Sequence, residues 1–343
     1  MIAYMRMETI IQKAITARVF PGVVCGVASP KSVKEIRAFG TTQYEDAGSH
    51  AVEAETIYDI ASLTKLFTYT ATLQLVTENK LDLLEPLFLH FPQCRQGKKS
   101  GLNLWHLLTH SAGWTIRTSS LSHLRDRAKL LDAILSSDLT HQPGKKIWYT
   151  NNYPFILGEL ITRVTGVPLD QYFQKRIFVP LRMTSTRFCP PESWKARIAP
   201  TERDSVRGLI HGEAHDPSAW SIGGVSGQAG LFSCAADLLK FGQAWLRMEV
   251  PGVDSALAKA AVTVQLSDAQ KCEIGLGWKL NQLWMGLRAP SGTFGYTGFT
   301  GTMIAVSPRQ DRAVVLLSNR VYPSAHGPDR LAVQARMLNT LWR

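Results

Sequence analysis

Cysteine is scarce and scattered in this chain. Its five cysteines, Cys25, Cys94, Cys189, Cys234 and Cys272, are an odd number, widely spaced and without a C-x-x-C pair. This argues against a disulfide framework and a zinc knuckle, and predicts buried free thiols in a reducing compartment. No window approaches the ~18 consecutive apolar residues of a membrane span. Arg6 and Glu8 interrupt the apolar N-terminal residues, a poor match to a signal peptide, and Met5 or Met7 is an alternative start. A cytoplasmic location is therefore expected. Basic residues form pairs such as Lys98-Lys99 but no long run, and no RNP, KH or zinc-finger pattern occurs. Also absent are G-x-S-x-G, the Walker A loop, G-x-G-x-x-G and H-E-x-x-H, so several large enzyme classes lose support.

What is present is a globular composition. The 343 residues suit about two domains. With 45% hydrophobic and 19% charged residues, the chain can bury a sizeable core and is neither disordered nor collagen-like. Lys plus Arg is 38 and Asp plus Glu is 27, a net charge of +11. These charges are dispersed, as on a solvated basic surface, and no nucleic-acid partner is expected.

Periodicity divides the chain. Residues 8–18 read as an amphipathic helix that ends at Pro21-Gly22, and 23–29 with 34–39 as a hairpin. Residues 56–60 form a short strand. From Ser62 the positions Leu63, Leu66, Phe67, Thr70 and Leu73 give helical spacing with one buried face. Further helices are expected at 124–136, at 152–165 with Gly166 and Pro168 as stop signals, at 233–248 after a glycine-rich strand, and at 330–342. Residues 301–307 and 312–318 form a second hairpin. Strands at both ends around a helical middle predict an α+β fold of two lobes, an antiparallel sheet flanked by helices and a mostly helical lobe. The expected division is one domain over 1–343, with 1–61 and 220–343 in the sheet lobe and 62–219 in the helical lobe.

Three motifs carry chemistry. Ser62-Leu63-Thr64-Lys65 opens a helix, and positions i and i+3 share a face. Ser62 Oγ and Lys65 Nζ can therefore meet. A serine hydroxyl must lose its proton as it attacks, and a lysine whose charge is disfavoured can take it. The plain alternative is a serine N-cap with a solvated lysine. Tyr149-Thr150-Asn151, after the turn at Pro143-Gly144, offers a phenol to relay a proton and an amide to orient a carbonyl. Phe294 to Gly301 contains glycines that let backbone approach a ligand closely.

Together the motifs resemble the serine β-lactamase-like family, which includes class C β-lactamases, D-alanyl-D-alanine carboxypeptidases and related esterases. Ser62-Leu63-Thr64-Lys65 matches S-x-x-K, Tyr149-Thr150-Asn151 matches Y-x-N, and Tyr296-Thr297-Gly298 takes the K/H-T-G place. Flanking segments also resemble the family, among them Leu107-Leu108-Thr109-His110-Ser111-Ala112-Gly113 and Leu317-Ser318-Asn319-Arg320. The resemblance implies the β-lactamase/transpeptidase-like fold and acyl transfer through Ser62. It implies that Lys65 and Tyr149 share the proton transfers, and that Asn151, Tyr296, Thr297, Gly298 and Phe299 bind the substrate. The oxyanion would sit between the N–H groups of Ser62 and Phe299. No cofactor or metal is called for, the partner is a small ester or amide, and the oligomeric state stays open.

One departure shifts the expected substrate. Tyr296 stands where the resemblance implies Lys or His, and a phenol donates only a neutral hydrogen bond. A lost charge-assisted bond to a substrate carboxylate is worth about 1.5–3 kcal/mol. Hydrolysis of esters or amides lacking that carboxylate is therefore favoured over D-alanyl-D-alanine carboxypeptidase or β-lactamase activity, with a non-catalytic, penicillin-sensor-like binding protein as the rival from another class. Arg320 is the candidate substitute cation. Two further clusters, His211 with Glu213 and His215, and His106 with His110, have metal-like spacing, but their place in family-like segments favours structural roles.

Overall fold

The computed structural model describes residues 2–44, 48–270, 272–328 and 330–342. Alternating and continuous apolar runs build its main sheet. Val23, Cys25 and Val27 face one side of the strand Gly22–Ala28, and Val24 and Ala28 the other, with every residue of the strand buried. A strand covered on both faces reads as a nearly unbroken apolar run, and Arg312–Ser318 shows the same pattern.

Among the described residues the main sheet has eight strands, all paired antiparallel. In spatial order they are Val33–Gly40, Gly22–Ala28, Arg312–Ser318, Met303–Ser307, Phe294–Thr297, Lys279–Leu280, Glu273–Ile274 and Leu266–Ser267. Both ends of the chain thus meet in one sheet, with Val23 opposite Ser318. Helices Ile2–Thr16 and Leu331–Leu341 cover one face, where Ile11, Met337 and Leu338 pack on Val23, Met303 and Leu316. Helix Ala235–Arg247 covers the other through Leu238, Leu239 and Phe241.

Most expected elements are present with shifted ends. The helix at 152–165 is found as Asn152–Thr165 and ends on Gly166 in the left-handed conformation, as a C-terminal glycine does. The helix expected at 124–136 begins instead at Arg127, capped by Asp126, whose side chain accepts from Lys129 N at 2.8 Å. The helix after Ser62 departs from expectation more deeply. It spans Thr64–Thr77, and its residues from Thr64 to Leu75 are all buried, rather than along one face. Its hydroxyls tolerate this because backbone carbonyls take them: Thr68 donates to Gly227 O at 2.7 Å and Thr70 to Leu66 O at 2.7 Å.

A small sheet joins Tyr58–Asp59, Leu231–Ser233 and Arg187–Phe188, linking segments from both expected lobes just before Ser62. Among the described residues no helix is long and apolar enough to cross a membrane. The five cysteines are free, but Cys189 is exposed and Cys272 only partly covered, so the expectation of buried thiols holds for Cys25, Cys94 and Cys234.

Candidate active site

Ser62 lies in a short 3-10 turn, Ala61–Leu63, that feeds the buried helix. Leu63, not Ser62, occupies the helix N-cap, and no side chain caps it. The serine hydroxyl is thereby left for other partners. The turn is held from below by Asp59, a buried carboxylate that accepts from Ala61 N and from His215 N, each at 2.7 Å. Burial raises the Asp59 pKa, and these two N–H donors work against that rise. Ala61 adopts φ +45°, rare for a residue with a side chain.

Two side chains converge on Ser62 Oγ. Lys65 Nζ donates to it at 2.9 Å and also donates to Gln228 O at 2.9 Å. Tyr149 OH donates to it at 2.9 Å from a different segment. Lys65 is wholly buried, so it is not the solvated lysine of the plain alternative. Tyr149 is 44% exposed as a residue, yet its hydroxyl turns inward. Burial of the phenol would raise its pKa, but the charges of Lys65 and Lys279 and the Ser62 hydrogen bond outweigh it and hold it below the ordinary tyrosine value.

Behind Tyr149 the polar groups are neutral. His110 stacks on the Tyr149 ring, centroids 5.3 Å apart, and its Nε2 meets Tyr69 OH at 2.8 Å and Tyr296 OH at 3.4 Å. Burial, with Lys279 and Lys65 nearby, pushes the His110 pKa far down. Burial, with the neighbouring phenols, pushes that of Tyr296 far up.

The cleft over Ser62 has a volume of about 380 Å³ and is lined by Tyr149, Asn151, Asp216, Lys279, Thr297 and Phe299, among others. Asn151 Nδ2 donates to Asp216 Oδ2 at 3.2 Å. The third motif closes on the serine turn at Gly298, where an added Cβ would meet Ile60 O at 2.5 Å. Thr300 and Thr302 tie the same segment to Asp59 O and Ile60 O. Tyr296 itself is fully buried and does not line the cleft.

The sequence reading missed Lys279. It sits on a two-residue strand, opposite Gly295 and beside the third motif. Its ammonium lies 4.4 Å from the Tyr149 ring centre and 5.1 Å from that of Tyr296. The available signal was a lone lysine in the apolar run Leu276 to Leu280. Arg320, the expected substitute, is engaged elsewhere: Nε donates to Phe299 O at 3.1 Å, Nη1 donates to Ala325 O at 3.0 Å, and the guanidinium stacks on Phe299. The metal-like clusters are divided among other partners. His211 Nε2 lies 2.8 Å from Ile198 O, Glu213 accepts from Trp220 Nε1, and His215 Nε2 lies 2.9 Å from Glu202. His106 Nδ1 accepts from Asn103 N in a capping box.

Ser62 Oγ, Lys65 Nζ and Tyr149 OH thus meet within hydrogen-bonding distance at the cleft. The family profile described as Beta-lactamase matches residues 7–337, and the chain belongs to that family. A curated relative from Escherichia coli O157:H7, named "Putative D-alanyl-D-alanine carboxypeptidase", is 31% identical, over 91% of this chain and 81% of its own length. A relative of the same name from Salmonella heidelberg is 29% identical, over 94% and 84%. Among solved structures, the octameric penicillin-binding protein homologue of Pyrococcus abyssi aligns with TM-score 0.79 at 22% identity, over 98% of this chain and 76% of that one. A hydrolase with promiscuous acyltransferase activity aligns with TM-score 0.81 at 21% identity, over 99% and 98%. At such identities these structures speak for the fold.

Proposed function

We propose that this protein is a serine hydrolase that cleaves an ester or amide through an acyl-enzyme on Ser62. The convergence of Lys65 Nζ and Tyr149 OH on Ser62 Oγ, each at 2.9 Å, carries the reading. In the resting arrangement both groups donate to Oγ. One of these bonds must reverse for the serine to lose its proton, and the lowered pKa of Tyr149 favours its phenolate as acceptor, with the Lys65 charge stabilising it.

Ser62 Oγ attacks the carbonyl carbon as its proton passes to the Tyr149–Lys65 pair. The oxyanion is placed between the Ser62 and Phe299 N–H groups, neither of which is taken by a hydrogen bond among the described residues. The pair returns the proton to the leaving oxygen or nitrogen as its bond to the carbonyl carbon breaks. Water then adds to the acyl carbon, gives its proton to the pair, and the ester bond to Oγ opens with that proton returned to Ser62. Asn151, Thr297 and Gly298 line or shape the ground where the substrate is held.

The deciding experiment is intact mass spectrometry after incubation with a fluorophosphonate and, separately, with a penicillin. The expected result is one fluorophosphonate adduct that Ser62→Ala abolishes. Well-folded protein that takes neither label would overturn the reading and favour a binding protein on the same scaffold. A second reading, hydrolysis of a peptide ending in D-alanine, takes support from the name of the curated relatives. It requires a cation near the cleft; Tyr296 provides none, and Lys279 is the lysine beside it that lines the cleft.

A further inference from the structure

We propose that Arg330 is a positioning residue that aims and polarises the Phe299 N–H as an oxyanion donor, with Arg320 bracing the same turn. The proposal rests on the acyl-transfer reading of the Ser62 cleft.

The two backbone donors at the cleft are held differently. The carbonyl of the peptide that carries the Ser62 N–H, Ala61 O, accepts from Thr64 N where the short turn passes into the buried helix. The Phe299 N–H has no helix behind it. It lies in the turn from Gly298 to Gly301, between the strands Phe294–Thr297 and Met303–Ser307, with a glycine at each end. Gly298 N donates to Thr302 O at 2.7 Å, and Gly301 N donates to Gly298 O at 3.1 Å. Two arginines add to this frame. Arg330, which lines the cleft, donates from Nη2 to Gly298 O at 2.9 Å. Arg320 donates from Nε to Phe299 O at 3.1 Å, and its guanidinium lies 4.8 Å from the centre of the Phe299 ring. His215 stacks on the same ring, centroids 5.7 Å apart.

Gly298 O and the Phe299 N–H belong to one planar peptide unit. In a trans peptide they point in opposite directions, so a donor that fixes the carbonyl also fixes the direction of the N–H. A donor on the carbonyl oxygen draws electron density away from the nitrogen and makes its N–H a stronger donor, because hydrogen bonds in a chain polarise one another. A charged donor such as Arg330 does this more than the neutral Gly301 N. Arg320 acts on the next peptide, whose carbonyl is Phe299 O, so the peptide planes on both sides of the Phe299 Cα are held. An oxyanion donor is effective only when it is already aimed where the negative charge will develop. Backbone next to glycine rotates most freely. The two arginines remove that freedom in a turn that has no helix to do so.

The test measures, in the full-length protein, the rate of fluorophosphonate labelling of Ser62 and the hydrolysis of two uncharged esters. These are p-nitrophenyl butyrate and the thionoester in which sulfur replaces its carbonyl oxygen. Sulfur is a weak acceptor, so the thionoester gains little from the N–H donors. In Arg330→Gln the labelling rate and the kcat for the oxygen ester should fall about tenfold or more, short of the roughly 10²–10³-fold cost of deleting such a donor outright. KM should change little, and the advantage of the oxygen ester over the thionoester should narrow. Arg330→Lys, which keeps a charged donor, should recover much of the loss, and Arg320→Gln should narrow the same ratio by less. An unchanged labelling rate in Arg330→Gln, an equal loss with both esters, or a loss confined to KM would overturn the proposal. Parent protein that takes no label would overturn the hydrolase reading itself, whereas a labelled parent matched by Arg330→Gln would sink the role of Arg330 alone.

Discussion

The ammonium of Lys279 lies 5.1 Å from the centre of the Tyr296 ring, on the strand paired with the one that carries the tyrosine. The motif position that would hold a cation holds a phenol, and the charge stands one strand away. It also lies 4.4 Å from the ring centre of Tyr149, whose hydroxyl donates to Ser62, so a single side chain in the cleft lining rests against both rings. A motif counted along the chain misses such an exchange, because charge acts through space and not through sequence position.

The charge on Lys279 sets a pH dependence. With Lys65, it helps hold the Tyr149 pKa below its ordinary value against the opposing effect of burial. Removing a cation raises the pKa of a neighbouring phenol. In Lys279→Gln the ascending limb of the pH profile of kcat/KM, measured with an uncharged ester, should therefore move to higher pH. A limb that stays in place would assign that ionisation to a group other than Tyr149.

Tyr149→Phe deletes the hydroxyl that donates to Ser62 and keeps the ring that stacks on His110. Loss of a general acid–base group costs about 10²–10⁴-fold. We expect kcat to fall by that factor with little change in thermal midpoint. Steady-state kinetics beside a melting curve checks both, and activity near that of the parent would remove Tyr149 from the proton path.

Asp59 is a structural prediction. Its carboxylate satisfies the buried N–H groups of Ala61 and His215. Each orphaned buried donor costs about 1–3 kcal/mol, so Asp59→Ala should destabilise the protein by about 2–6 kcal/mol, measured by chemical denaturation. Asp59→Asn keeps one acceptor oxygen and should lose less. Equal losses in the two variants would argue against the hydrogen bonds as the cause.

Gly298 is required by close approach. A Cβ there would lie 2.1 Å from Thr302 Oγ1 and 2.5 Å from Ile60 O, and the second is backbone that cannot rotate away. Gly298→Ala should push the third motif off the serine turn. Overpacking of this kind costs about 1–3 kcal/mol of stability, and kcat/KM should fall with it. Unaltered kinetics would show that the spacing between strand and turn is not critical.

Particular elements explain how far the sequence could be read. The helix Asn152–Thr165 was legible because apolar spacing, Gly166 and Pro168 all agree on it. The strands Gly22–Ala28 and Arg312–Ser318 were legible as long apolar runs. The two-residue strands that bring Lys279 to the sheet were not, since two residues carry no period. Ser62 and Lys65 were within reach because helical spacing alone brings their side chains together. Tyr149 was found by its motif, but its contact with Ser62 depends on where a loop far along the chain is laid down.

Local spacing, apolar pattern and motif order, then, were determined by the sequence itself, because they depend on neighbours within a few residues. Where the cleft's charge stands was decided only by the tertiary structure. Pairing of Lys279 with Gly295 supplies one cation beside Tyr149, and burial with two hydrogen bonds fixes Lys65 as the other. Cross-strand register and burial are properties of the folded chain, and they set a lysine ammonium 5.1 Å from the ring of Tyr296.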